Sequence, residues 1–146
     1  MYEYIDRPVE TLADGPHFLV WAMRRWVQAM HDRRCPACVI GPAFAKWRMM
    51  PGLAPFQAMM AILNIHALRN LRFGPVCCGP VSEDEAMLLT FITGVRGRSS
   101  EEMAETLALI VERDQVQSLQ GVLSRLADAM ATVKILPEIA SRPADS

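Results

Sequence analysis

Apolar residues recur at helical spacing over most of the chain, and no segment alternates between apolar and polar residues for long enough to indicate a strand. The first helical segment runs from about Pro16 to Asp32 and is apolar over most of its circumference, with Arg24 and Gln28 on a polar stripe. A helix with so wide an apolar face is expected to be mostly buried. Asp14 is the expected capping residue at its start.

Gly-Pro pairs divide the middle of the chain. The pair Gly41-Pro42 is expected to interrupt any helix that follows Cys38, because proline lacks the N–H that a helix interior uses. The next, short helix is therefore predicted at about 42–49. A third helix, at about 54–71, is apolar on nearly all sides apart from a narrow polar stripe, which predicts that it is the central helix of the core.

Acidic residues mark the helix starts of the C-terminal half. Ser82 and Glu85 have the spacing of a capping box ahead of a fourth helix. The acids at 83–85 are interpreted as a solvent-facing charge cluster at the positive end of the helix dipole, and not as a paired-carboxylate site. The remaining sequence is predicted to form two helices, at about 100–113 and 115–134, with one long helix as the alternative.

The last predicted helix has apolar residues alternately three and four positions apart, which is a heptad pattern. These residues are Val116, Leu119, Leu123, Leu126, Met130 and Val133. Because the seam spans less than three heptads, packing within the chain is the favoured use, and a homodimer interface along 116–133 is the alternative. The whole pattern predicts an all-α fold: an irregular bundle of five or six helices with no sheet.

A chain of 146 residues is expected to form one domain. We predict an N-terminal extension over 1–14, a single helical domain over 15–134 and a flexible tail over 135–146. No apolar run approaches the roughly 20 residues that cross a bilayer, and the acidic N-terminus does not resemble a secretory signal. The expected location is therefore the cytoplasm, with no membrane partner.

Four cysteines are the main candidates for chemistry. In a reducing compartment such residues are more often thiols, metal ligands or redox groups than structural disulfides. Two residues between cysteines, as in the sequence CPAC, allow both sulfurs to bind one metal ion. We predict a zinc or iron–sulfur site, provided that the two cysteine loops converge. Its candidate ligands are His31, Cys35, Cys38, Cys77 and Cys78, with His66 as an additional candidate.

Three other interpretations of the cysteines stay open. They are inert thiols within the fold, a thiol switch without metal, or the nucleophile of a thiol enzyme. Arg33 and Arg34 precede Cys35 and are expected to favour its thiolate by their charge. The chain has no sequence motif of a hydrolase, a nucleotide-binding loop or a metalloprotease. An enzyme is therefore less favoured than a small soluble regulatory or adaptor protein.

Charge is distributed unevenly although the net charge is only -1. Residues 15–80 are strongly basic and residues 99–146 are acidic. One interpretation is that the two parts neutralise each other within the fold or across a homodimer. The other is that the basic part binds an anion, a nucleic acid or an acidic protein. Its candidate anion-binding residues are Arg24, Arg25, Arg33 and Arg34. Nucleic acid is the less favoured partner, because the helix that starts near 100 opens with acids that repel phosphate.

Overall fold

The computed structural model describes residues 4–76 and 79–133. Over these residues the chain forms six α-helices and no strand, which confirms the all-α bundle. Short 3-10 turns lie at Val9–Thr11, Val95–Gly97 and Arg113–Gln115. The helices are α1 (Asp14–His31), α2 (Pro36–Lys46), α3 (Met50–His66), α4 (Glu83–Gly94), α5 (Ser100–Leu107) and α6 (Val116–Thr132).

The most extensive helix packing in the bundle is that of α3 against α6, followed by that of α1 against α2. At Gly52 the start of α3 approaches α6 so closely that an added Cβ would lie 3.3 Å from the Cβ of Ala129 and 3.4 Å from the Cδ1 of Leu126. Glycine therefore sets the spacing of these helices. Buried side chains of α3, among them Met59 and Met60, form one core with the apolar residues of α6. This agrees with the prediction of a central third helix.

Aromatic residues connect the first three helices. The ring of Phe44 on α2 lies between that of Phe18 on α1, at a centroid distance of 4.9 Å, and that of Phe56 on α3, at 5.5 Å. Trp26 of α1 donates a hydrogen bond from Nε1 to Oε1 of Gln57 on α3 at 2.6 Å. The polar stripe of the otherwise apolar α3 thus satisfies a largely buried indole N–H, which would be costly to leave unpaired.

The predicted break at Gly41-Pro42 is wrong. Helix α2 begins at Pro36 and continues through both residues to Lys46, so the predicted helix at 42–49 is displaced towards the N-terminus. A residue before proline is normally kept out of the helical region by a clash between its Cβ and the proline ring. Gly41 has no Cβ, which relieves this clash, while Pro42 still removes one helical hydrogen bond and crowds the carbonyl four residues before it. Helix α3 is displaced in the same direction and spans Met50–His66 instead of 54–71.

Three further features of the helices differ in how well the sequence predicts them. Asp14 is the first residue of α1 and does not cap it, because Ala13 occupies the N-cap position without a side-chain hydrogen bond. The division of the C-terminal part into two helices is confirmed, with α5 ending at Leu107 and α6 beginning at Val116. The heptad seam is used inside the chain, since its residues from Val116 to Met130 are each no more than 9% exposed.

The N-terminal segment packs against the same core. Tyr4, Val9 and Leu12 are buried, and backbone hydrogen bonds join Asp6 and Arg7 to Val81 at 3.0 and 2.8 Å. The predicted tail over 135–146 lies outside the described residues. Within the described part of the chain, none of the helices combines the length and the apolar composition that crossing a membrane requires.

A buried ion pair joins α1 to α4. Arg24 is 2% exposed and Glu85 is 0% exposed. The Nε and Nη2 atoms of Arg24 donate to the two carboxylate oxygens of Glu85 at 2.8 and 2.9 Å. Arg24 also donates to the carbonyl oxygens of Pro75 and Pro80, each at 2.9 Å. One guanidinium therefore contacts α4 and two points of the segment that precedes it.

Glu85 accepts more than the arginine. Its carboxylate receives the backbone N–H of Gly74 at 2.8 Å and that of Ser82 at 2.9 Å. The second of these bonds belongs to the capping box, so that prediction is confirmed. Gly74 comes so close to Arg24 that an added Cβ would lie 2.6 Å from its Nη2 atom. Position 74 therefore has no room for a side chain larger than that of glycine.

The expectation that the acids at 83–85 face solvent is wrong for two of the three. Asp84 is 4% exposed and pairs with Arg69, whose guanidinium nitrogens lie 3.1 and 2.6 Å from its carboxylate oxygens. The backbone N–H of Arg72 donates to the same carboxylate at 2.7 Å. Burial alone would raise the pKa of Asp84, but these hydrogen bonds and charges outweigh it, and the pKa is lowered. Local sequence gave no sign of these partners.

We expect Glu85→Gln to lower the free energy of unfolding by about 3–5 kcal/mol, because it leaves the charge of Arg24 buried without a counter-ion. Glutamine can still complete a capping box, so the loss reports on the ion pair. Urea unfolding at neutral pH measures it. Glu83→Gln is the matched control: it removes the same charge from the same helical turn, at an exposed position. We expect it to cost less than about 1 kcal/mol. Equal losses in the two variants would contradict this role of the pair.

Candidate functional site

Cys35 and Cys38 lie together at the N-terminal end of α2. Cys35 occupies the N-cap position, Pro36 is the first helical residue and Cys38 belongs to the first turn. Both thiols are exposed. The shift of α2 towards the N-terminus therefore changes the chemistry of the pair, because a helix N-terminus presents backbone N–H groups that stabilise a thiolate.

The turn between α1 and α2 places this pair at a corner of the bundle. Arg33 has a left-handed backbone with φ of 60°. The N–H groups of Arg33 and Arg34 donate to the carbonyl oxygens of Met30 and Ala29 at 3.2 and 2.8 Å. These bonds satisfy the last carbonyls of α1, as in many helix ends that use a left-handed residue. The chain then reverses into α2, and Cys35 follows the turn directly.

The two thiols have opposite pKa shifts. The backbone of Cys38 lowers the pKa of Cys35 most, its side chain lowers it next, and the backbone of Ala37 adds to the effect, while burial opposes it. No side-chain hydrogen bond caps α2, so the first-turn amides remain available to a thiolate. The contact with the Cys35 side chain raises the pKa of Cys38, with smaller contributions from the Cys35 charge and from burial. Cys35 is thus the thiol that ionises first.

The predicted anion-binding arginines fall into three environments. Arg24 is the buried partner of Glu85 and is not on the surface. Arg25 is half-buried on α1 and donates to Oε1 of Gln28 at 3.3 Å. Arg33 and Arg34 are exposed beside Cys35, and within the described residues neither takes part in a salt bridge. Asp32, also exposed, is the adjacent acid. Of these four arginines, only Arg33 and Arg34 lie at the surface beside Cys35 and Cys38 without a salt bridge among the described residues.

The predicted metal ligands are brought together only in part. Cys35 and Cys38 are neighbours, and His31 ends α1. Cys77 and Cys78 lie outside the described residues. In the range that the structure does describe, no three His, Cys, Asp or Glu side chains are grouped so as to hold a metal ion. The zinc or iron–sulfur site therefore stays a prediction.

The side-chain partner of His66 in the described structure is Glu112, and not Cys35 or Cys38. It ends α3, and its Nδ1 atom lies 2.7 Å from Oε1 of Glu112, in the turn between α5 and α6. The backbone supports this pairing, because the N–H of Glu112 donates to the carbonyl of His66 at 3.0 Å. The described contacts of His66 thus fix the end of α3 against the C-terminal helices.

Sequence reasoning missed the helix position of the thiol pair. The signal was present, because Pro36 follows Cys35 directly and proline is favoured at the first position of a helix. The break expected at Gly41-Pro42 instead predicts that Cys35 and Cys38 lie in a loop. The partners of Asp84 and Glu85 were also not predicted, because the local sequence contains no signal for them.

The chain was compared with protein-family models, with curated proteins and with solved structures. None of the three comparisons finds a match. The function of this protein is therefore inferred from the placement and chemistry of its own residues.

We expect Cys35 to be alkylated by iodoacetamide faster than Cys38 at about pH 6–7, well below the pKa of an ordinary thiol, where the fraction of thiolate decides the rate. The pH midpoint of its rate should lie below the usual thiol value of 9.0. Peptide mapping by mass spectrometry separates the two sites.

Single variants test the physical cause. In Cys38→Ala the midpoint of Cys35 should rise, because one of the groups that stabilise its thiolate is lost. In Cys35→Ala the midpoint of Cys38 should fall towards the usual value, because the contact that raised its pKa is gone. Equal rates for both thiols in the unmodified chain would show that the helix N-terminus does not distinguish them.

Proposed function

We propose that the protein is a small regulatory protein whose Cys35–Cys38 pair acts as a reversible thiol–disulfide switch. The observation that supports it most is the placement of two exposed thiols at the N-terminus of α2, with the pKa of Cys35 lowered and that of Cys38 raised. A pair in which one thiol ionises first and the other retains its proton has the division of roles that thiol–disulfide exchange uses.

The proposed reaction needs an external disulfide of the glutathione type. The Cys35 thiolate attacks one sulfur of that disulfide, forms a mixed disulfide and expels the other half as a thiolate. Cys38 then loses its proton to solvent and attacks Sγ of Cys35, which forms the internal disulfide and expels the second thiolate. Two electrons pass from the protein to the external disulfide, and excess low-molecular-weight thiol reverses both steps.

The spacing of the pair favours closure of the disulfide. Side chains three residues apart on a helix lie about 5–6 Å apart at Cβ, whereas a disulfide requires about 3.5–4.5 Å. A small movement of the N-cap residue covers this difference. Cys35 is at the N-cap, where the backbone has already left the helix, so the movement leaves the rest of α2 in place.

A switch fits this surface better than an enzyme site does. A catalytic thiol is usually found in a concave pocket that encloses a substrate. Cys35 and Cys38 are exposed, and neither lines the pocket between α1 and α3 or the groove between α5 and α6. An open corner gives access to a small disulfide or to another protein. Oxidation also replaces two thiols beside the exposed Arg33 and Arg34 with a disulfide, which changes the surface that a partner meets.

The test uses the full chain with Cys77→Ser and Cys78→Ser, which leaves only the proposed pair. The reduced protein is equilibrated in glutathione buffers of graded redox potential, trapped by alkylation and analysed by mass spectrometry. We expect a single reversible transition with the loss of two hydrogens per chain, mapped to Cys35 and Cys38. Protein that stays fully reduced across the range, or that accumulates only mixed disulfides, would refute the proposal.

Two matched variants in the same background separate the roles of the thiols. Cys38→Ser should stop at a stable mixed disulfide on Cys35, because the thiol that displaces glutathione is gone. Cys35→Ser should form a mixed disulfide more slowly than Cys38→Ser, because Cys38 has no backbone donors such as those that lower the pKa of Cys35. If the Cys35→Ser variant reacts as fast as the Cys38→Ser variant, the assigned order of attack is wrong.

A further inference from the structure

A groove between α5 and α6 exposes an apolar floor to solvent. Its volume is about 680 Å³, and its apolar lining comes from Ala104, Ala108, Leu109 and Val116. Leu109 follows the end of α5 and is 76% exposed, more than any other large apolar side chain in the described part of the chain. An exposed leucine that continues the apolar lining of a groove forms a contiguous apolar surface, and such surfaces often mark interaction sites.

Two further exposed apolar residues, at and just after the end of α3, lie near the turn that carries Leu109. Ile65 is 69% exposed and Leu68 is 57% exposed. The N–H of Leu68 donates to the carbonyl oxygen of Ile110 at 2.8 Å, next to Leu109 in the chain. With the backbone bond from Glu112 to His66, this contact fixes the exposed residues of α3 beside the turn that carries Leu109. The apolar surface is therefore held in place by backbone pairing.

The charges along the groove indicate its occupant. Glu101 and Glu105 line it along α5, in the first and second turns of that helix, and Arg113 lines it beyond the C-terminus of α5. Asp114 follows Arg113 in the chain but does not line the groove. A partner helix of uniform charge would meet a like charge at one end. A second copy related by a two-fold axis, with its α5 antiparallel, places each Arg113 against the acids of the other copy.

We propose that two copies of this chain associate through the α5–α6 groove, each inserting Leu109 between α5 and α6 of the other. Such an interface is isologous, so one surface supplies both halves of every contact. It shares only Val116 with the predicted dimer seam along 116–133, whose residues from Leu119 to Met130 are packed inside the chain. The net charge of -1 puts little electrostatic repulsion between copies.

Sedimentation velocity of the full chain in a reducing buffer, over a range of concentrations, tests this interface without disulfide-linked species. We expect a reversible monomer–dimer equilibrium. Leu109→Asp should raise the dissociation constant by at least about tenfold, as is typical for the loss of a central apolar anchor. Met50→Asp is the matched control: Met50 is 50% exposed at the start of α3, outside the groove. We expect it to leave the equilibrium unchanged.

Charge reversal tests the two-fold arrangement itself. Glu105→Arg and Arg113→Glu should each weaken the dimer, because each brings like charges together across the axis. The double variant should recover most of the affinity, because opposite charges again meet between copies. Circular dichroism verifies that each variant is folded.

Three results would overturn the proposal. They are a chain that stays monomeric at about 1 mM, the weak limit of specific association, a dimer that resists Leu109→Asp, and a double variant no stronger than the single ones. The last two results would place the contact between copies on another surface.

Discussion

The buried pair of Arg24 and Glu85 determines how the first half of this protein joins the second. Their side chains are separated by 61 residues along the chain and meet with almost no exposure to solvent. A buried ion pair is tolerated only when the remaining donors and acceptors are also satisfied. Here the carbonyls of Pro75 and Pro80 and the amides of Gly74 and Ser82 provide those bonds. The pair therefore orders the segment between α3 and α4 as well as the packing of α1 on α4.

The sequence predicted those parts of the fold that depend on nearby residues. The all-α class, the capping box at Ser82 and the separation of α5 from α6 follow from periodicity and from residues within one or two turns. Burial of Glu85 depends instead on an arginine that is distant in the chain. An acid in the first turn of a helix faces solvent unless such a partner reaches it, and nothing within that turn reveals the partner.

The position of α2 depended on weighing two local rules against each other. Proline inside a helix and proline at its first position are opposite signals, and the chain contains both, at Pro42 and at Pro36. The structure follows Pro36, because Gly41 removes the steric conflict that Pro42 would otherwise cause. This boundary decides the chemistry of the site. The same cysteines placed in an isolated loop would have no helix amides near them and no distinction between the first thiol and the second.

The uneven charge of the sequence resolves into two uses once the fold is known. Arg24 and Arg69, from the basic half, bind Glu85 and Asp84 inside the molecule, and His66 meets Glu112. The acids that pair with these two arginines belong to the start of α4 and not to the acidic segment 99–146, so mutual neutralisation of the two segments stays a prediction. Arg33 and Arg34 take no such partner in the described structure and stay exposed where α2 begins. Positive charge thus remains on the surface beside Cys35, the more acidic of the two described thiols. The groups that lower the pKa of Cys35 belong to the first turn of α2, so the acidity of this thiol depends on where that helix begins.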